Sequence, residues 1–303
     1  MASNPIAAKL RRVQFPFRAP TVPAGVVVQD RGPKLGADYD TEWARSPAAR
    51  VARAGLVNGV MRPLVYVLGT PRRRGLDRLS IIEGPVVFAS NHHSHVDTPT
   101  LLTSIPERWR KKLVVGAAAD YFFGSRVTSA LSAFVIGAIP IERTKVGRKS
   151  ADLARGLIDD GWSLLIFPEG GRSPDGWGQP FRGGAAFIAL RAGVPVVPIH
   201  LDGTGRVLRK GGSLSRSQVT VTFGEPLRPI DGEDARKYAV RIEAAVAALA
   251  DEAATDWWTA RRRAYAKQSP SLGGPDAGAW RRSWALGAKS KSVARRRRRW
   301  PEI

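Results

Sequence analysis

Residues 85–100 read PVVFASNHHSHVDTPT, and the rest of the chain is interpreted outward from them. The stretch opens with an apolar run from Val86 to Ala89 that follows the chain-breaking pair Gly84-Pro85, which predicts a short buried strand. It then becomes polar and holds three of the four histidines of the chain. In α/β folds, ligands lie beyond the carboxyl ends of the strands. The segment after Ala89 is therefore the first candidate for a functional site.

Strand-like and helix-like patterns alternate on the carboxyl side of this segment. Short apolar runs predict strands at residues 112–118, 138–141, 163–167, 194–199 and 218–223, the last alternating as an edge strand does. Helices are predicted at 98–105, 120–134, 149–160 and 184–192, and a longer helix begins at the N-cap candidate Asp231. This alternation predicts an α/β fold with a mostly parallel central sheet flanked by helices.

An N-terminal amphipathic helical segment is predicted over residues 44–75. Apolar residues recur at spacings of three and four from Leu56 to Leu68, and arginines punctuate the stretch. Its least polar part, residues 54–69, is shorter than the roughly 20 helical residues that span a bilayer. The pair Arg62-Pro63 also interrupts it. Two interpretations stay open: a helix packed on the core, or a helix lying in a membrane interface with its arginines on lipid phosphates.

The two ends of the chain differ in composition from its middle. Residues 1–43 contain five prolines and are predicted to form a flexible Pro-rich arm. Residues 256–303 carry thirteen Lys or Arg against three Asp or Glu, interleaved with tryptophans, and are predicted to be a basic Trp/Arg-rich tail. Such a mixture suits an anionic membrane surface, single-stranded nucleic acid, or a solvated tail. We favour the membrane surface.

The overall composition narrows the function classes. The formal net charge of +22 implies an anionic partner. The absence of cysteine excludes disulfides, thiolate metal sites and an acyl-cysteine intermediate. The first 40 residues show no apolar stretch of the kind found in secretory signals, so we expect a location on the cytoplasmic face of the cell membrane.

His92 and Asp97 are the candidate catalytic pair. They are five positions apart, so they meet only if the chain turns between them, as it does between a strand and a helix. A carboxylate that accepts from one imidazole nitrogen fixes the tautomer and leaves the other nitrogen free to take a proton from a hydroxyl. The pair therefore suits activation of an alcohol, although this spacing alone is a weak signal.

Three later strand ends carry groups that suit an anionic substrate. Residues 137–143, GAIPIER, end in Arg143, and residues 167–173, FPEGGRS, place paired glycines beside Arg172. Glycines let backbone N–H groups approach an oxyanion, and arginine binds phosphate bidentately. The third of these stretches, VPVVPIH, occupies residues 194–200. All are predicted at strand ends, so they can converge on one rim of the sheet.

In this order, the four blocks resemble those of the glycerolipid acyltransferase family, the 1-acylglycerol-3-phosphate (lysophosphatidate) acyltransferases. Asn91-His92-x-Ser94-x-x-Asp97 matches the first block, the stretch ending in Arg143 the second, FPEGxRS the third and residues 194–199 the fourth. The resemblance covers residues 86–200 and places an α/β acyltransferase domain at 76–255. Gly171 stands where the family commonly has threonine, and Pro140 where it often has an aromatic residue.

The resemblance implies acyl transfer from acyl-CoA or acyl carrier protein to the sn-2 hydroxyl of 1-acylglycerol 3-phosphate, giving phosphatidate in phospholipid biosynthesis. His92 would be the base and Asp97 its orienting carboxylate. The implied substrate-binding residues are Asn91, Ser94, Arg143, Glu169, Gly170, Gly171 and Arg172. No metal or cofactor is implied apart from the acyl donor. The two departures leave another lysophospholipid or glycerol 3-phosphate open as the acceptor. An enzyme acting on a lipid acceptor is expected to be a peripheral membrane protein.

Other interpretations compete with this one. A covalent acyl-Ser94 is an alternative route to direct attack by the acceptor. His93-x-His95-x-Asp97 looks superficially like the start of a metallo-hydrolase zinc motif, but Thr98 follows where a histidine is needed and His200 is the single histidine left. A basic nucleic-acid-binding protein would account for the tail but not for four ordered blocks.

Overall fold

The computed structural model describes residues 35–142, 148–173, 176–208 and 213–274. Most of the predicted Pro-rich arm, the tail beyond residue 274 and Arg143 lie outside these ranges. The described chain begins with two 3-10 turns, Gly36–Asp38 and Glu42–Arg45. Helix α1 (Pro47–Leu56), a π turn (Val57–Met61) and helix α2 (Arg62–Gly69) then follow without a break.

The α1–α2 segment is one continuous helical rod of 23 residues. The predicted interruption at Arg62-Pro63 is wrong, because Pro63 lies in the first turn of α2, where the preceding π turn accommodates its missing N–H. Ser46 caps the start by accepting from the Ala49 amide. Among the described residues this is the one helix whose length and apolar composition would allow it to cross a membrane.

The remaining elements follow in chain order. The strands are β1 (Arg72–Arg74), β2 (Val87–Ser90), β3 (Leu113–Ala118), β4 (Ala138–Ile141), β5 (Ser163–Ile166), β6 (Val196–Asp202) and β7 (Thr220–Phe223). The helices are α3 (Asp97–Ser104), α4 (Glu107–Arg110), α5 (Ala119–Phe122), α6 (Arg126–Ile136), α7 (Arg148–Asp159), α8 (Gly184–Ala192), α9 (Thr204–Val207), α10 (Ala235–Ala254) and α11 (Trp257–Tyr265). A third 3-10 turn, Asp77–Leu79, precedes β2.

Within the described residues the strands form one seven-stranded sheet in the order β1-β7-β6-β2-β5-β3-β4. Every neighbouring pair is parallel except β6 and β7. The predicted α/β class, with a mostly parallel sheet flanked by helices, is confirmed. The prediction that residues 218–223 form an edge strand is wrong, because the all-arginine strand β1 pairs with β7 from outside. No apolar alternation marks β1, so only pairing with β7 makes it a strand.

Strand β2 lies centrally in the sheet and is buried on both sides. Val87 and Ala89 pack in a core with α7, α8 and α10. Phe88, one residue out of phase, packs in the opposite core with α3 and α4. A strand covered on both faces reads as a continuous apolar run, as this one does. Both cores fix the position of the chain segment that leaves the carboxyl end of β2.

Local boundaries differ from the sequence predictions in four places. His200 lies within β6, not after it. Helix α10 begins at N-cap Asp234, whose side chain accepts from the Lys237 amide, and not at Asp231. The helix predicted at 120–134 is two helices, since Ser125 starts a new one with a capping box. The predicted tail begins as an ordered helix, because the Arg263 guanidinium pairs with buried Asp251 of α10 at 2.8 Å and ties α11 to it.

Candidate active site

The turn between β2 and α3 brings His92 and Asp97 together. The His92 Nδ1 atom is 2.7 Å from Asp97 Oδ2. The same oxygen accepts the backbone N–H groups of His93 at 2.7 Å and Ser94 at 2.8 Å. Asp97 is fully buried in the first turn of α3, where the partial positive charge of the helix N-terminus favours a carboxylate. The carboxylate thus holds both the loop and the imidazole.

The imidazole orientation is fixed on two sides. Its ring stacks on Phe167, with centroids 4.2 Å apart and planes 20° from parallel. With Nδ1–H donated to Asp97, Nε2 carries the free lone pair. His92 also lines a cavity near the carboxyl end of the sheet. The arrangement therefore presents a basic nitrogen to whatever occupies that cavity.

Glu169 joins this loop to the loop that follows β5. Its Oε1 accepts the His92 amide at 2.8 Å, and its Oε2 accepts the Gln179 amide at 3.0 Å. Burial raises the pKa of Glu169 to about 8, although both N–H donors act in the opposite direction. Glu169, which the resemblance implies as a substrate-binding residue, lines the cavity, and its carboxyl group also holds the backbone of both loops.

Asn91 and Ser94, which the resemblance also implies as substrate-binding residues, bond to the backbone in the structure. The Asn91 amide exchanges two hydrogen bonds with the backbone of Leu201, donating at 2.9 Å and accepting at 2.7 Å. The Ser94 hydroxyl donates to the Leu208 carbonyl at 2.9 Å. Both side chains are buried and both lie outside the cavity lining. They bind the loop between β2 and α3 to β6 and to Leu208, which follows α9.

The cavity next to His92 has a volume of about 750 Å³ and two chemically distinct ends. Its polar end contains His92, Glu169, Gly170, Gly171 and Arg172. The apolar walls come from α2 and the π turn, β3, and the end of α6; they include Met61, Leu64, Leu68, Val115, Ala117, Val135 and Ile136. One chamber therefore offers a long apolar surface and a cationic, glycine-lined rim beside the base.

Gly170 and Arg172 lie where the sequence predicts, at the rim. Gly170 has φ +71°, a left-handed conformation that favours glycine, and a Cβ atom there would lie 3.0 Å from Arg182 Nε, so the Arg182 side chain would have to shift. Gly171 lines the same rim. The structure does not place Arg143, which lies outside the described residues.

Four lining residues were missed by the sequence reasoning: Gln179, Arg182, His95 and Tyr121. Arg182 approaches Gly170 from the loop before α8, and the pattern Arg-Gly-Gly ahead of an apolar helix was the signal available for it. His95 stacks on Tyr121, with centroids 6.4 Å apart. Burial, and then the positive charge of Arg172, lowers the pKa of His95. These four side chains meet at the cavity only because of loop conformations that the sequence does not specify.

With the geometry of the β2–α3 pair and of the cavity described, comparisons with known proteins show what the chain is similar to. Residues 70–202 of this chain match the family model described as Acyltransferase. The resemblance drawn from the four sequence blocks is confirmed.

The relatives are more specific still. A chloroplast 1-acyl-sn-glycerol-3-phosphate acyltransferase of Brassica napus, BAT2, is 35% identical over 158 residues, which is 51% of this chain and 44% of that protein. The corresponding LPAT1 of Arabidopsis thaliana is 34% identical over 157 residues, 50% of this chain and 42% of the relative. The chain thus spans less than half the length of either relative.

A solved structure shares the fold. It is the 1-acyl-sn-glycerophosphate (LPA) acyltransferase PlsC from Thermotoga maritima, with a TM-score of 0.55 and 20% identity. The match covers 72% of this chain and 84% of that one. At this identity the likeness concerns the fold alone.

Proposed function

We propose that this protein transfers a fatty acyl group from acyl-CoA or acyl carrier protein to the sn-2 hydroxyl of 1-acylglycerol 3-phosphate, giving phosphatidate. The observation that carries the proposal is the His92–Asp97 pair, 2.7 Å apart, at the mouth of an apolar cavity with Arg172 on its rim. The names of the relatives support the choice of acceptor.

The reaction proceeds by direct attack of the acceptor. His92 Nε2 takes the proton of the acceptor hydroxyl, and the oxygen attacks the thioester carbonyl to give a tetrahedral oxyanion. The C–S bond then breaks, the new ester forms, and the imidazolium returns its proton to the departing thiolate. Asp97 stabilises the imidazolium between these steps. No external oxidant or reductant is needed.

The contacts of Ser94 argue against a covalent acyl-serine. Its hydroxyl donates to the Leu208 carbonyl, and its amide donates to Asp97. To act as a nucleophile, the hydroxyl would have to break that bond and turn towards the imidazole. Ser94→Ala is therefore expected to reduce activity far less than His92→Ala.

The acceptor binds with its headgroup at the polar rim and an acyl chain along the apolar walls. Arg172 and Arg182 both line this end, where charge-assisted hydrogen bonds to a phosphate are strong. The apolar walls have room for a lipid chain, and α2 contributes both to these walls and to the exposed surface. A lipid can thus enter from the surface formed by α2.

We place the protein on the cytoplasmic face of the cell membrane, docked on anionic lipid through the α1–α2 rod. Val51, Val60, Leu64 and Val67 are each more than half exposed on this rod. The rod stays attached to the domain because buried Arg53 donates to the carbonyls of Ala44, Ala133 and Phe134, which favours a rod lying in the interface over one crossing the bilayer.

The test is an acceptor panel with the purified full-length protein. Labelled palmitoyl-CoA, oleoyl-CoA and acyl carrier protein conjugates are each offered with 1-acylglycerol 3-phosphate, other lysophospholipids and glycerol 3-phosphate, and products are identified by mass spectrometry. Phosphatidate formation that falls at least about 10³-fold in His92→Ala is expected. Absence of phosphatidate with every donor, or an unchanged rate in His92→Ala, would overturn the proposal. Tight, salt-resistant oligonucleotide binding without acyl transfer would favour the nucleic-acid-binding alternative.

A further inference from the structure

The chain beyond α11 returns to the active-site loops. After α11, residues 266–274, here called the C-terminal strap, lie against residues 176–179. The Gly178 amide donates to the Leu272 carbonyl at 2.8 Å. Gly274, at φ +72°, lies so close to the Trp177 indole that an added Cβ atom would be 2.4 Å from the ring. The contact therefore depends on glycines on both of its sides, since a Cβ at Gly178 would lie 2.9 Å from Leu272 Cβ.

The segment that receives the strap is bonded directly to the substrate rim. Gln179 Nε2 donates to the carbonyls of Gly171 at 3.2 Å and Arg172 at 3.1 Å. The Gln179 amide donates to Glu169, whose other oxygen holds the His92 amide. Three consecutive residues, 177–179, thus contact the strap on one side and the loop carrying Arg172 on the other.

We propose that the C-terminal strap is a positioning element for the acceptor site, acting through Gln179 on the backbone that carries Arg172. The proposal rests on the function proposed above and adds a part of the chain outside the residues matched by the acyltransferase family. Gln179 is the positioning residue in this chain of contacts: its side chain ties together two successive carbonyls of the arginine loop. A displaced strap would leave this loop with fewer restraints, so Arg172 would meet the acceptor phosphate in the correct geometry less often.

A displaced strap and a general loss of stability are expected to change different kinetic constants. Arg172 lies at the headgroup end of the cavity, whereas the apolar walls that hold acyl chains come from α2, β3 and α6. Loosening the arginine loop should therefore raise KM for 1-acylglycerol 3-phosphate. KM for the acyl donor should stay unchanged, and kcat at saturating acceptor should fall little.

The experiment uses full-length Gly178→Ala and Gly274→Ala. Both variants are expected to raise KM for 1-acylglycerol 3-phosphate about tenfold, the equivalent of one weakened hydrogen bond to a charged group. Gly232→Ala is the matched control for Gly274, because it has φ +75° but nothing within 4 Å of the added Cβ. Gly156→Ala, with a similarly open position, is the control for Gly178.

A double variant tests whether the strap and Trp177 act on each other. Trp177→Ala removes the ring that the new Cβ of Gly274→Ala would strike, so the double variant should be less impaired than the product of the single effects predicts. Effects on KM that simply multiply would overturn the direct contact. Equal KM values for Gly178→Ala, Gly274→Ala and wild type would overturn the positioning role.

Hydrogen exchange tests the role of the strap independently of the proposed acyltransferase activity. Peptides covering residues 168–173 should exchange faster in Gly178→Ala and Gly274→Ala than in wild type, whether or not the protein acylates the chosen acceptor. If wild type makes no phosphatidate, the proposed function fails. If it makes phosphatidate while the variants leave the acceptor KM unchanged, the strap proposal alone fails.

Discussion

Replacing Asp97 with Asn separates the charge of this carboxyl from its geometry. Asp97 Oδ2 accepts three hydrogen bonds, from His92 Nδ1 and from the His93 and Ser94 amides. An asparagine carbonyl placed there accepts the same three, so the loop and the imidazole tautomer are retained. What is lost is the negative charge that stabilises the imidazolium during the reaction.

The size of that loss follows from the separation of the charges. With Nδ1 and Oδ2 2.7 Å apart, the charge centres are about 4 Å apart, and at an effective dielectric of ~20 their attraction is about 4 kcal/mol. If the imidazolium is fully formed in the transition state, kcat should fall about 10³-fold, while KM for the acceptor changes little.

The variant also carries a stability cost that must be measured separately. Asp97 Oδ1 is buried with no hydrogen-bond partner among the described residues. The NH₂ group of Asn would occupy this place, and an unsatisfied buried donor costs about 1–3 kcal/mol of unfolding free energy. Thermal unfolding of Asp97→Asn is compared with that of Asp159→Asn, an exposed control on α7. A folded Asp97→Asn with kcat within about threefold of wild type would refute the role of the charge.

Three further changes test other parts of the structure. Burial lowers the pKa of His200 from 6.5 to about 4, so the folded state disfavours protonation and the stability it contributes is present above pH 6.5 and lost as the pH falls towards 4. At ~1.4 kcal/mol per pH unit the loss is about 3 kcal/mol, measurable by urea unfolding, and His200→Gln should flatten this pH dependence. Gly170→Ala should raise KM for the acceptor about tenfold, because it strains a left-handed backbone and displaces Arg182. Val60→Asp should weaken sedimentation with anionic vesicles without changing kcat on micellar substrate, because an exposed apolar contact is lost.

The controls for these variants are matched in local geometry. Gly193→Ala has a positive φ like Gly170, but nothing lies within 4 Å of its added Cβ, and its KM should be that of wild type. Val240→Asp is as exposed as Val60 but lies on α10, so its vesicle binding should be unchanged. Equal sedimentation of Val60→Asp and Val240→Asp would contradict docking through the rod. An equally steep stability loss in His200→Gln would show that another group titrates there.

Sequence patterns were sufficient to predict those elements whose formation depends on neighbouring residues in the chain. The run from Val86 to Ala89 predicted a short buried strand, and the structure buries it on both sides. Helix boundaries that depend on capping residues were harder to predict from the sequence. Asp231 and Asp234 have equivalent chemistry, and only the chain path of α10 selects Asp234 as the N-cap. Strand β1 had no local signal, because three arginines form a strand only where β7 offers free backbone groups.

The sequence by itself determined the α/β class and the residue types at the strand ends. It also indicated that His92 and Asp97 needed a turn between them in order to meet. Only the tertiary structure decided that Glu169, Asn91 and Ser94 bind backbone and that Arg182 and Gln179 reach the rim. The physical reason is the range of the interactions. Apolar periodicity acts between near neighbours, whereas the partner of a buried polar group is any donor or acceptor that the folded chain brings within about 3 Å.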